Sequence, residues 1–104
     1  MTSDGALPGL SARYARDVDF VFRRIAEEII LVPVRRNMGD LESIYSLNET
    51  AARVWELLDG RRTVGDVLDT LVGEFEVASK TARQDLEALL AHLGEIGAVH
   101  ESAR

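Results

Sequence analysis

The chain has 104 residues, room for one domain of the usual size of roughly 100–150 residues and no second packed unit. Hydrophobic residues make up 46% and charged residues 29%, an ordinary globular balance that argues against disorder. The formal net charge is −6 and there is no cysteine, so a disulfide framework and a cysteine-based zinc or iron–sulfur site are excluded.

The charge is unevenly spread. Residues 1–40 carry six basic and six acidic groups, whereas residues 41–104 carry six basic and twelve acidic ones. The whole excess therefore sits in the second part. Solvated helix faces explain such an excess, and so does attraction of basic partners. Both make a phosphate-binding surface a poor expectation there. The longest apolar run, Ile29 to Val34, is far below the ~20 residues that span a bilayer. The N-terminal segment has Asp4 and no apolar stretch of signal-peptide type, so the cytoplasm is the expected compartment.

Residues 1–16 hold Gly5, Pro8 and Gly9 without periodicity and read as a flexible tail, which leaves 17–104 as the folded domain. From Val18 the pattern alternates. Val18, Phe20 and Phe22 share one face, and Val21, Arg23 and Ile25 the other. Ala26 and Glu27 turn the chain. Glu28 to Arg36 is a second, β-branched strand, with Pro33 expected at a bulge, at a strand end or with its nitrogen outward. Asn37 to Asp40 is a loop, and Leu41 to Leu47 a short third strand.

The period then changes to that of a helix. Asn48 is a natural N-cap, followed by Ala51, Val54, Trp55 and Leu58 at helical spacing, with Gly60 as a left-handed stop. Thr63 caps a second helix with Asp66 three residues on, a variant of the capping box. Its apolar face is Val64, Val67, Leu68, Leu71, Val72 and Phe75. A third helix starts near Ser79 and carries Ala82, Leu86, Leu89, Leu90, Leu93 and Ile96, with Gly97 at its end and Val99 packing back. The fold class is α+β: a three-stranded antiparallel meander covered by a three-helix bundle, similar to a winged helix-turn-helix.

Chemistry is scarce. His92 and His100 are the only histidines. His92 and Glu95 can share a helix face but have no second cluster to complete a metal site. No nucleophile elbow or phosphate loop occurs, and no cofactor is expected. An enzyme is not expected. A winged-helix DNA-binding regulator would need the third helix as reader, yet Lys80 and Arg83 there stand against Asp85, Glu87 and Glu95. The other reading is a peptide-binding module. The third strand is a sheet edge that an extended peptide can join. Its short length and Glu42 could equally serve only to protect that edge.

An ordered set of residues bears on this choice. Leu47-Asn48, Ala51 or Ala52, Val54-Trp55, Leu58, Gly60, Thr63-Val64, Val67, Asp85-Leu86, Leu93 and Gly97 stand at spacings that resemble the PqqD family over roughly residues 18–100. The resemblance implies a non-catalytic protein that binds the leader segment of a ribosomally made precursor peptide. It also implies presentation of that peptide to a modifying enzyme, often a radical S-adenosylmethionine protein. In the family the leader adds to the third strand and lies against the third helix. By motif this implicates Ser43, Ile44, Tyr45, Ser46 and Leu47 on the strand. On the helix it implicates Arg83, Asp85, Leu86, Leu90 and His92. Asp85 would serve either as helix-capping support or as a polar contact to the peptide. Trp55, Leu58, Val67, Leu71 and Leu89 read as packing residues. The same open edge could pair with a second copy to give a homodimer.

Overall fold

The structure is a computed structural model that describes residues 9–34 and 44–102. Its elements run β1 (Arg13–Arg16), β2 (Phe20–Ile25), β3 (Glu28–Pro33), β4 (Tyr45–Leu47), α1 (Glu49–Leu57), β5 (Asp59–Thr63), α2 (Val64–Phe75), α3 (Ser79–Glu95) and β6 (Val99–Glu101). The class is α+β, as the sequence indicates. The strands, however, form two three-stranded antiparallel sheets, ordered β2-β3-β4 and β5-β1-β6.

The first sheet is the expected meander. Phe20 lies opposite Pro33 and Ile25 opposite Glu28, with Ala26 and Glu27 as a two-residue turn. Ala26 adopts a positive φ of 56°, a conformation that glycine or asparagine takes at lower cost. Pro33 ends β3, where its missing N–H costs no interior ladder bond. β4 pairs with β3 through Ile29–Leu47, Ile30–Ser46 and Leu31–Tyr45. Residues 41–43, expected in this strand, lie outside the described residues.

Alternation gives the sheet two unlike faces. Phe20, Ile29, Leu31, Pro33 and Leu47 point inward and are buried. Phe22 on that side rests edge-on against Trp55, ring centroids 5.7 Å apart. Val21, Ile25 and Ser46 point outward and are exposed. Val18 does not join the inner face: it is 90% exposed. A turn precedes β2, because the Asp17 carbonyl accepts the Phe20 N–H and the Asp17 carboxylate accepts that of Asp19.

The second sheet corrects the tail reading of residues 1–16. Residues 13–16 form β1, the middle strand between β5 and β6. Asp17 anchors its end. Its N–H reaches the Ala98 carbonyl at 2.8 Å, and its largely buried carboxylate meets His100 Nε2 on β6. Arg16 lays its guanidinium over the rings of Phe22 (5.5 Å) and Trp55 (6.0 Å), a cation–π contact that binds β1 to the core.

The helices start and stop for local reasons. Asn48 Oδ1 accepts the Ala51 N–H at 2.9 Å, which caps α1. Thr63 and Asp66 form a full capping box at α2, each side chain taking the other's backbone N–H at 3.0 Å. The hydrogen bond from the Thr63 N–H holds the Asp66 carboxyl below the usual carboxylate range. α1 ends at Leu57, three residues before Gly60, which instead lies within β5 at φ 80°. Gly97, at φ 81°, lets α3 close: the Ala98 N–H returns to the Leu93 carbonyl at 2.8 Å. Trp55 is wholly buried at the centre, and among the described residues its indole N–H finds no acceptor.

Removing residues 1–16 should lower the unfolding free energy by ~2 kcal/mol or more, read from a urea melt. A true tail would leave the midpoint unchanged. Trp55→Ala should cost about 3–5 kcal/mol. Trp55→Phe should cost less, because the indole N–H carries no hydrogen bond to lose.

Candidate functional site

β4 has β3 on one side, and no strand pairs with its other edge among the described residues. β4 and α3 meet through one ring contact. Tyr45 is half-buried on the inner side of β4 and meets the His92 ring edge-to-face, centroids 6.3 Å apart. Leu47, two residues on, is only 5% exposed and is a core residue. Ile44 (62% exposed) precedes the strand, and Ser46 sits opposite Ile30 on the outer face. Ser43 lies outside the described residues.

α3 carries two stripes. Ala82, Leu86, Leu90 and Leu93 are buried and hold the helix to the core. Asp85, Leu89 and His92, at i, i+4 and i+7, form an adjacent stripe that remains at least partly exposed. Arg83 belongs to neither and donates to Glu87 at 3.0 Å along its own flank. Of the residues expected on this helix, Asp85 and His92 therefore stand on the open stripe. Leu86 and Leu90 are inside, Leu86 also forming a cavity wall. Arg83 is turned to a partner of its own.

Beyond the end of β4 lies a cavity of about 290 Å³ between the start of α1, the end of α2 and the start of α3. Val54, Leu71, Phe75, Val77, Leu86 and Leu89 supply its apolar walls, while Asn48, Thr50 and Asp85 supply polar groups. Leu89 links the cavity to the open α3 stripe. The sequence reading treats Leu89 as packing and leaves Phe75 and Val77 out of the site. The available signal was the 85–89–92 spacing, a second helix face beside one already sufficient for the core.

Ion pairs stiffen the walls. Arg53 on α1 grips Glu74 on α2 through two bonds of 2.9 and 3.0 Å. The bonds from Arg53 hold the Glu74 carboxyl below its ordinary range. A lowered carboxylate stabilises the fold above the unfolded-state range and loses that effect as pH falls through its folded value. Among the described residues no group of three or more His, Asp or Glu could hold a metal ion, and no helix is long and apolar enough to cross a membrane. The expected weakness of α3 as a DNA reader has a structural cause: its open stripe bears Asp85, and its Arg83 is already paired.

This arrangement is a small α+β domain in which a strand edge stands beside a helix. The profile of the family described as Coenzyme PQQ synthesis protein D (PqqD) matches residues 28–99, and the chain belongs to that family. It is 32% identical over 59 residues to a PqqA binding protein from Gluconobacter oxydans (strain 621H), covering 57% of this chain and 62% of that relative's length. A solved structure of TbiB1 in complex with the TbiA(beta) leader peptide shares the fold, with TM-score 0.71, 20% identity, and coverage of 86% of this chain and 99% of that one. A lasso peptide synthetase B1 complexed with the leader peptide has TM-score 0.70 and 25% identity over the same shares.

The two α3 stripes should separate in stability. Leu90→Ala should cost about 2–5 kcal/mol. Leu89→Ala should cost about 1 kcal/mol, since a partly exposed leucine loses less burial. Urea midpoints measure both. Glu74→Gln should flatten the loss of stability on acidification below the carboxylate range.

Proposed function

We propose that this protein binds the leader segment of a ribosomally made precursor peptide by strand addition at β4. The supporting observation is the β4 edge, without a second strand partner among the described residues, beside the open α3 stripe whose His92 meets Tyr45. Backbone hydrogen bonds to the edge supply affinity that is indifferent to sequence. Side chains alternating toward α3 supply selectivity. Of the residues expected in the site, Ile44 and Ser46 border the edge, Tyr45 and His92 form one wall, and Asp85 stands further along. Leu47, Leu86 and Leu90 act from the core by fixing the strand and helix that the peptide touches. The relative named for binding PqqA and the fold neighbours solved with leader peptides support this reading.

On this reading the protein does no covalent chemistry. It holds a flexible substrate near a modifying enzyme and raises its effective concentration there. The family resemblance points to a radical S-adenosylmethionine enzyme as that partner, and the N-terminal segment, without a signal-type apolar stretch, leaves the cytoplasm as the expected compartment. The free edge can also pair with a second copy, a homodimer that the peptide would displace. Size-exclusion chromatography with and without peptide distinguishes a monomer from such a pair.

Peptides selected on the wild-type protein from a displayed random library test the site. Leu89→Lys should weaken them about tenfold or more while circular dichroism stays unchanged. Val21→Glu, on the outer sheet face, should leave affinity unaltered. Full binding by a folded Leu89→Lys variant would overturn the proposal.

A further inference from the structure

We propose that the cavity between α1, α2 and α3 is a pocket for a lysine or arginine side chain of the bound peptide, with Asp85 as its counter-ion. This rests on strand addition at β4 and names the kind of residue that the cleft selects.

The cavity and Asp85 call for the same kind of occupant. The volume of about 290 Å³ is at the lower end of small-molecule pockets, which run roughly 300–1,000 Å³. It suits one long side chain rather than a cofactor. Its walls are mainly apolar and match the methylene stem of a basic residue, whose head group stays at the rim. Among the described residues of the lining, Asp85 is the one that carries an acidic group. It is exposed, and among the described residues it has no hydrogen bond or ion pair. The other polar groups are less available. Asn48 Oδ1 already caps α1, and Thr50 is neutral.

A wholly apolar occupant would cover Asp85 without giving it a partner, and stripping water from an unpaired carboxylate is costly. A guanidinium or ammonium replaces that water with a charge-assisted bond. The field of the molecule acts in the same direction, because residues 41–104 hold the whole net charge of −6.

Geometry sets where in the peptide the cation belongs. Asp85 and His92 are seven residues apart on α3, about 10.5 Å along the helix axis at 1.5 Å per residue. A paired strand advances about 3.3 Å per residue, and alternate residues face the helix. A peptide residue packed on Tyr45 and His92 therefore has the basic residue about two or four positions away.

The test selects peptides from a displayed random library on the wild-type protein and, separately, on Asp85→Lys. Selected peptides are then measured against wild type, Asp85→Asn and Leu89→Lys, with circular dichroism as the check on folding. Wild-type selection should enrich Lys or Arg two or four positions from an apolar or aromatic residue. Those peptides should lose about tenfold in affinity on Asp85→Asn, with a smaller loss in high salt. Selection on Asp85→Lys should replace the basic residue with Asp or Glu at the same spacing. Peptides weakened by Leu89→Lys but unaffected by Asp85→Asn would overturn the counter-ion assignment and leave strand addition standing. Peptides indifferent to both substitutions would overturn the strand-addition reading and this proposal together.

Discussion

Backbone groups of a strand must be paired or hydrated, and among the described residues β4 has a strand partner on one side only. The rest of the site depends on that constraint. Leu47 and Tyr45 point inward from β4, so the strand cannot swing away without emptying part of the core. The edge is thereby fixed in space, and α3 stands beside it with Tyr45 against His92. A rigid donor–acceptor edge beside a helix costs an incoming chain its own ordering entropy and little of the protein's. The apolar cavity beyond the strand end extends the same surface toward α1 and α2.

The second sheet ties down the C-terminal end of α3, whose buried stripe already holds the helix to the core. β6 follows directly from the Gly97 turn at the end of α3 and pairs with β1. β1 in turn pairs with β5, which runs straight into α2. Asp17 ties the β1–β2 corner to the chain after α3 through the Ala98 carbonyl, and to β6 through His100. Arg16 then stacks over Phe22 and Trp55, so the small sheet and the core share one contact. No residue of the N-terminal strand is part of the cavity lining, yet the strand belongs to the frame that positions it.

The sequence discloses the elements whose causes are local. Asn48, and Thr63 with Asp66, mark helix starts through their own side chains, and the structure has both caps. The β2–β3 hairpin is readable because strict alternation identifies its inner face. β1 is not, because Arg-Tyr-Ala-Arg has little alternation and its partners near residues 59–63 and 99–101 are remote in sequence. Val18 continues the alternation on paper, but Asp17 turns the chain first. In the site, Tyr45, Asp85 and His92 are legible as candidates, whereas Leu89 and Leu90 are adjacent leucines that periodicity cannot tell apart. Their roles separate only when the helix is docked: Leu90 faces the core and Leu89 the cleft. Arg83 falls out for a related reason, since its i+4 neighbour Glu87 captures it.

Strand addition is tested most directly by amide hydrogen exchange across β4, followed by NMR with and without a library-selected peptide. The account predicts that alternate amides within Ile44 to Leu47, those on the edge away from β3, become protected on binding. Bound peptide with exchange there unchanged would contradict it.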